Sequence, residues 1–294
     1  MTGQHRAVLA MLVSAAAFAA MGAFVKAAAD VPVLEKVVVR NLISLVIAGV
    51  VTWRAGRTFF GRRGNRGLLL LRALLGVAGV TCFFYAIDHL ILADAAMLTK
   101  LSPFFVAVFA LVFLREVPPR AVIAAMVIAF VGSLLVIKPR FDLSILPALV
   151  GLSSSLFAGG AYTVLRSLRS REAPETIVFT FSLVTVVVLT PFIAGSLYVP
   201  SAREAVLLLG IGVGAAIGQF GLTFAYRYAP AAGVSIYSYS TIVLSALLGL
   251  AIWGEVPDLL SLIGGLLIIS GGALAFLAER RCHPGHPPAA GDLR

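Results

Sequence analysis

Long apolar runs separated by short polar loops follow one another along the whole chain. Ten of these runs are about 18 to 24 residues long, the length typical of membrane-spanning helices. An α-helix rises about 1.5 Å per residue, so roughly 20 residues cross the ~30 Å hydrocarbon core of a bilayer. We number these predicted spans 1 to 10 in chain order, near residues 7–29, 33–53, 67–87, 91–113, 120–137, 147–165, 175–198, 203–226, 231–253 and 258–278.

The two halves of the chain repeat one another. The segment "REVP" at 115–118 aligns with "GEVP" at 254–257, a shift of 139 residues (254 − 115). The same shift pairs Gly79 with Gly218 and Gly132 with Gly271 without a gap. Because each copy has five spans, an odd number, the second copy must enter the membrane from the opposite side. The sequence predicts an all-α integral membrane protein with two inverted five-helix repeats, residues 1–140 and 141–280, and a flexible tail, 281–294.

The first apolar run has two interpretations. With Arg6, an apolar stretch and small residues at Ala27–Ala29, it has the pattern of a secretory signal peptide. However, the run at 150–164 is its counterpart in the second repeat, which a cleaved signal would not have. We therefore expect the first run to be span 1.

Composition and charge support membrane embedding and give an orientation. The 294 residues are 60% hydrophobic and 12% charged, with a mean hydropathy of +1.03, whereas soluble domains have about a quarter charged residues. With the amino terminus inside, 16 of the 23 Lys and Arg residues lie on the inner side and three on the outer side. The positive-inside rule then predicts that both termini lie on the cytoplasmic side of a bacterial inner membrane. Such dispersed basic residues, despite a net charge of +10, do not predict a nucleic-acid partner.

Lys100 lies near the middle of span 4. A cation at that depth costs about 2.5 to 3.5 kcal/mol on insertion scales, so it is expected to face protein, water or a ligand. Two interpretations stay open: a structural cation tied to carbonyls or to Asp94, or a fixed charge in a central cavity that attracts a substrate carboxylate. Pro103 favours the second, because it leaves the Thr99 carbonyl without its usual hydrogen-bond donor.

Other polar residues within the spans are candidates for a cavity lining or for plain bonding between helices. Spans 3 and 8 carry polar stripes at helical spacing, and span 9 adds the repeat counterpart of Lys100; these residues are Thr81, Tyr85 and Asp88, then Gln219, Thr223 and Tyr226, and Tyr239. Near the outer ends, Lys26 and Arg40 are expected to snorkel to the surface. Asp88 and His89 are expected to form either a titratable gate or a solvated turn.

The chain resembles a known transporter family over almost its whole length. The segments that carry the resemblance are "FFYAI", "ADAAMLTKLSPFF" and "LREVP" in the first copy and "FAYRYAPAAGVSIYSYSTIVLSALLGLAIWGEVP" in the second. They resemble the EamA repeat of the drug/metabolite transporter superfamily, and within it the YddG-type exporters of aromatic and neutral amino acids. The resemblance implies ten helices around a central cavity lined by spans 1, 3, 4, 6, 8 and 9, with alternating access. It also implies that the helix 4 lysine is Lys100, that its Ser-Pro step is Ser102–Pro103, and that the paired helix-end glutamates are Glu116 and Glu255.

The expected function is that of a secondary transporter, not an enzyme, which exports small amphipathic metabolites such as aromatic and neutral amino acids. The partners expected are a small-molecule substrate and the lipid bilayer, with no cofactor and no metal. Because no carboxylate occupies a helix centre, transport without obligatory ion coupling is favoured. The candidate substrate-binding residues are Phe18, Thr81, Phe83, Tyr85, Met97, Lys100, Phe157, Gln219 and Tyr239, and the candidate gating or helix-end residues are Pro103, Glu116 and Glu255.

Three alternatives remain open at this point. One is a proton-coupled exporter of another small metabolite, such as a purine, a nucleoside or a drug-like molecule. Another is an integral membrane enzyme acting on lipid, for which the sequence offers only the group Asp88, His89 and Asp94. The last is a channel or passive scaffold, which saturable, counterflow-stimulated transport would exclude.

Overall fold

All ten predicted spans are present as helices. The structure is a computed structural model that describes residues 3–114, 120–138, 145–168, 171–195, 198–228 and 235–282. In order, the spans are Gly3–Ala27, Val33–Arg54, Arg66–His89, Leu92–Thr99 with Ser102–Leu114, Arg120–Ile137, Leu146–Leu168, Pro174–Ile193, Ala202–Tyr228, Ser235–Tyr239 with Ser240–Trp253, and Leu259–Cys282. A short 3-10 turn, Arg63–Asn65, precedes span 3.

The described helices have the length and composition of a multi-pass membrane protein. Among the described residues, nine helical segments are long and apolar enough to cross a bilayer. Span 2 completes the ten, and its charged residues Glu35, Lys36 and Arg40 are buried within the protein. Large apolar side chains are exposed on the outside of the bundle, as expected for surfaces that face lipid tails.

The helix packing follows the repeat. Span 1 packs along span 8, and their repeat counterparts, spans 6 and 3, pack along each other. Spans 2 and 7, spans 5 and 10, and spans 4 and 9 are counterparts that contact each other directly. Exchanging the two repeats therefore turns the pair of spans 1 and 8 into the pair of spans 6 and 3. It leaves each of the other three pairs unchanged. This is the arrangement of an inverted-repeat membrane fold.

Spans 4 and 9 change helical form at matching positions. The first helix of span 4 ends at Thr99 and the second begins at Ser102. At the break, the Lys100 and Leu101 amides donate to carbonyls three residues earlier, at 3.1 and 3.2 Å. Pro103 fits the first turn of the new helix but has no N–H to donate to Thr99. In span 9, a 3-10 turn ends at Tyr239, the counterpart of Lys100, before the α-helix begins.

The backbones of spans 5 and 10 approach each other closely at a pair of glycines. A Cβ atom built on Gly132 would lie 2.7 Å from the Gly264 carbonyl oxygen, and one on Gly264 would lie 2.6 Å from that of Gly132. Backbone atoms cannot move aside as a flexible side chain can. The glycines therefore set the distance between these helices, as small residues do in membrane bundles.

We expect Gly132→Ala to destabilise the protein by about 1 to 3 kcal/mol, the usual cost of overpacking a well-packed core. Thermal unfolding in detergent measures this as a lower melting temperature. The matched control is Gly67→Ala, because a Cβ at Gly67 meets nothing within 4 Å. Equal stability of the Gly132→Ala variant and the wild type would contradict the proposed close packing.

Candidate functional site

A buried ion pair joins spans 2 and 3 at one end of the bundle, which we call the outer end, following the orientation that the charge distribution predicts. Lys36 is 0% exposed. Its Nζ donates to both carboxylate oxygens of Asp88, at 2.7 and 2.8 Å, and to the Val25 carbonyl of span 1 at 3.3 Å. The expectation of a solvated turn at Asp88 is therefore wrong, since this carboxylate is bound by a buried lysine. His89 is exposed and its ring stacks on Tyr85, 4.1 Å between centroids.

A second ion pair lies at the same end of the bundle. Lys26 of span 1 pairs with Glu255, which follows span 9. The same ammonium donates to the Leu90 carbonyl at 2.8 Å and lies 5.8 Å from the centre of the Trp253 ring. The other carboxylate oxygen of Glu255 accepts the Leu92 amide at the start of span 4, at 3.0 Å. Lys26 therefore binds inside the bundle instead of snorkelling, and the two ion pairs together connect spans 1, 2, 3, 4 and 9.

Glu255 follows the helix Ser240–Trp253, and its helix-end role stays a prediction. Its repeat counterpart, Glu116, lies outside the described residues. A gating role for these two glutamates stays a prediction.

Lys100 lies at the break of span 4, about 12 Å along the helix from Leu92 at a rise of 1.5 Å per residue. Its side chain is half-buried, and none of the ion pairs found among the described residues includes it. Asp94 instead accepts the Ser261 hydroxyl at 3.2 Å. The proposed tie between Lys100 and Asp94 is therefore wrong. The Tyr239 hydroxyl lies 3.5 Å from the Lys100 carbonyl oxygen, so the two repeat counterparts meet each other.

Two of the predicted substrate-binding residues face span 10. Met97 is buried with its side chain against Gly265, and Tyr239 is buried with its ring against Gly272. Both belong to one apolar cluster with Leu101. These contacts place the two side chains on the side of span 4 and span 9 that packs against span 10.

The remaining predicted residues lie on spans 1, 3, 6 and 8. Four of them are half-buried aromatic residues. Phe18 lies against Gly218, and Phe157 lies beside Gly79. Phe83 and Tyr85 lie two residues apart on span 3. Thr81 has a buried hydroxyl with no hydrogen-bond partner in the described part of the chain, and Gln219 is buried. Phe18 and Phe157, which are repeat counterparts, therefore lie at matching contacts, of span 1 with span 8 and of span 6 with span 3. Their binding roles stay predictions.

Two buried arginines were missed as candidate site residues. Arg40 and Arg72 are each 4% exposed, and both guanidinium groups lie over the ring of Phe181 in span 7, at 5.6 and 4.4 Å from its centre. Arg40 was expected to snorkel to the surface, which is wrong. Arg72 is one of the 16 Lys and Arg residues that the sequence assigns to the inner side, and it lies in the second turn of the helix Arg66–His89. The sequence signal for a buried arginine was its position inside the apolar run at residues 67–87.

An open groove of about 550 Å³ lies elsewhere, between spans 1, 2 and 8. It is lined by Arg6, Leu9, Ala10, Val13, Ile47, Val213, Ala216, Ile217, Phe220, Gly221 and Tyr228. None of the predicted substrate-binding residues is among them. Several of its apolar side chains are exposed on the outside of the bundle, so this groove belongs to the lipid-facing surface.

Comparison with known proteins connects this architecture to transport. The sequence profile of the EamA-like transporter family matches residues 5–138 and 145–277, one match for each repeat. The pseudopaline exporter CntI of Pseudomonas aeruginosa is 38% identical over 265 residues, which is 89% of this chain and 93% of that protein. A riboflavin transporter of Rhizobium johnstonii is 30% identical over 217 residues, 72% of this chain and 70% of that protein.

A solved structure shares the fold. One crystal structure superposes with a TM-score of 0.69 at 18% sequence identity, covering 94% of this chain and 98% of the other. At this identity the similarity concerns the arrangement of the helices. It agrees with the ten spans and the pairing of the two repeats described above.

Proposed function

The chain belongs to the EamA-like transporter family, and we propose that it exports small amphipathic metabolites with a carboxylate group, amino acids among them, across the bacterial inner membrane. The coarser statement, that it is a membrane transporter of small metabolites, follows from the family and from its relatives. The substrate, the direction and the mechanism are the proposal.

The observation that carries the proposal is Lys100. It combines three properties: a place within an apolar span, a half-buried side chain, and no carboxylate partner among the described residues. A lysine ammonium in such a place needs a compensating charge or water. A substrate carboxylate supplies that charge only while the substrate is bound, which makes Lys100 a recognition group. The half-buried aromatic residues of spans 1, 3 and 6 offer apolar surface for the rest of an amphipathic solute.

The outer ion pairs support alternating access. Lys36–Asp88 and Lys26–Glu255 tie five spans together at the outer end, so this arrangement corresponds to a state closed on that side. For a solute to leave outward, spans 1, 2 and 3 must separate there, and these ion pairs must break. They act as an outer gate in the proposed cycle.

The repeat supplies an inner counterpart to the outer gate. The shift of 139 residues takes Lys36 to Glu175 and Asp88 to Arg227, so the inner pair would have the same two charges in exchanged positions. The Oε2 atom of Glu175 is buried and has no hydrogen-bond partner among the described residues. Arg227 enters by its sequence position alone, since its side chain lies outside the described part. By sequence position alone, the repeat therefore predicts opposite charges at the inner end, as at the outer end.

The test is counterflow in proteoliposomes. Vesicles preloaded with unlabelled leucine, glutamate, phenylalanine, riboflavin or pseudopaline are diluted into the labelled form of the same compound, with and without a pH gradient. We expect saturable, trans-stimulated uptake of at least one amino acid, unchanged by the gradient. Protein-free vesicles are the control.

Each other outcome of this panel decides one alternative. Uptake of riboflavin or pseudopaline alone, the compounds named for the relatives, would overturn the amino-acid assignment. Uptake that requires the pH gradient would overturn uncoupled transport, and linear uptake without trans-stimulation would overturn a carrier.

A further inference from the structure

Two arginine side chains converge on one aromatic ring inside the bundle. Arg40 comes from span 2 and Arg72 from span 3, and their guanidinium carbons lie 5.6 and 4.4 Å from the centre of the Phe181 ring. Gly76, one turn after Arg72, makes room for this ring, since a Cβ there would lie 2.7 Å from it. Span 2 and span 3 run in opposite directions, so the two side chains approach Phe181 from opposite ends of the bundle.

The depth of the pair is that of the membrane interior. Arg40 is seven residues after Val33, and Arg72 is six residues after Arg66. At 1.5 Å per residue they lie roughly 10 and 9 Å from the outer and inner ends of their helices. An arginine in an apolar span is costly there unless protein, water or a ligand compensates it.

The nitrogen atoms of the pair have almost no partners. Among the described residues, Arg40 Nη1 donates to the Asn41 amide oxygen at 3.2 Å, and this is the one hydrogen bond that either guanidinium makes. Arg40 Nε, Arg72 Nε and Arg72 Nη1 are buried and have no hydrogen-bond partner in the described part of the chain. Neither arginine belongs to an ion pair of the described residues.

Among the described residues, no group around the pair balances its charge. A guanidinium stays protonated in proteins, so two positive charges remain within the bundle. Phe181 offers the face of a neutral ring, and Tyr162 of span 6, which lies near both arginines, carries a phenol. An oxyanion matches these free donors, because carboxylates and phosphates accept paired N–H donors from arginine.

We propose that Arg40 and Arg72 form an anion site that binds an oxyanion group of the transported solute. This inference rests on the proposed function and extends it, because Lys100 is already assigned to one carboxylate. The arginine pair then takes a second anionic group, so the site favours solutes with two acidic groups over neutral amino acids. The pair thereby sets the charge specificity of transport.

The first arm of the test measures anion binding to the purified full chain in detergent. Succinate and inorganic phosphate are titrated at constant ionic strength against chloride, with the melting temperature as the readout. We expect succinate to raise the melting temperature of the wild type, and Arg40→Gln or Arg72→Gln to weaken its apparent affinity tenfold or more. Arg66→Gln, an exposed arginine of the same helix, is the matched control and should respond as the wild type does.

Three results in this arm overturn the site. They are no response to succinate, an equal response in the wild type and both arginine variants, and a response to phosphate alone, which would make free phosphate the ligand. If a glutamine variant does not fold, Arg72→Lys replaces it. Because lysine keeps the charge but loses the paired donors, it should bind succinate more weakly than arginine does.

The second arm compares glutamate with leucine in proteoliposome counterflow. We expect Arg72→Gln to raise the half-saturation concentration for glutamate at least tenfold more than it raises that for leucine. Unchanged half-saturation for glutamate, with counterflow intact, would overturn the anion site alone. Arginine-dependent succinate binding without counterflow of any solute would support the anion site and overturn the proposed transport.

Discussion

Replacing Lys100 with methionine is expected to raise the half-saturation concentration for a carboxylate-bearing solute about ten- to a hundredfold. A hydrogen bond to a charged partner contributes about 1.5 to 3 kcal/mol, which is this range of affinity. Methionine keeps the length and the apolar stem but cannot bind a carboxylate. Counterflow in proteoliposomes at a series of solute concentrations measures the change.

Stability separates this role from a structural one. Since Lys100 has no carboxylate partner among the described residues, we expect Lys100→Met to melt no lower than the wild type. Lys138→Met is the control, because Lys138 pairs with Asp258 at the surface, at 2.7 Å. Wild-type counterflow in Lys100→Met would remove Lys100 from the binding site, and a large loss of stability would make it a structural cation.

Replacing Asp88 with asparagine is expected to destabilise the protein by about 3 to 5 kcal/mol, because it leaves Lys36 as a buried, uncompensated charge. The double variant Lys36→Met with Asp88→Leu removes both charges and is expected to recover most of that loss. Denaturant unfolding in detergent measures the unfolding free energies of the wild type, of Asp88→Asn, of the two single variants Lys36→Met and Asp88→Leu, and of the double variant. A cost of the double variant equal to the sum of the two single costs would show that the pair does not interact.

The comparison pair for this experiment is at the surface. Asp258 bonds Lys138, and this contact holds the pKa of the Asp258 carboxyl below its usual value. Exposed pairs of this kind contribute about 0 to 1 kcal/mol. Asp258→Asn should therefore change stability far less than Asp88→Asn, although both variants remove one carboxylate charge from an ion pair with lysine.

Much of this fold was predictable because a bilayer restricts the choices. Within lipid the backbone must satisfy its own hydrogen bonds, so each long apolar run has to be a helix. The shift of 139 residues then predicted which helices correspond, and the contacts of spans 1 with 8 and 3 with 6 agree with it. Pro103 indicated an irregularity in span 4, although a continuous helix was expected there.

The partners of the charged residues were not predictable in the same way. The sequence gives the depth of a residue along its span, and depth alone suggested that Lys26 and Arg40 snorkel to the surface. Which direction a side chain faces depends on the rotation of its helix against its neighbours. Lys26 meets Glu255, and Arg40 meets Phe181, through contacts between residues more than a hundred positions apart in sequence. A single sequence has no local signal for such pairs.

The contact between Tyr239 and the Lys100 carbonyl has a mechanical consequence. These two residues are exchanged by the symmetry of the repeats, so a point where they touch lies beside the symmetry axis. When two halves rock about such an axis, displacement is smallest near it and grows toward both faces of the membrane. In the proposed cycle, the Lys100 charge therefore keeps its depth while the ion pairs at the outer end open and close.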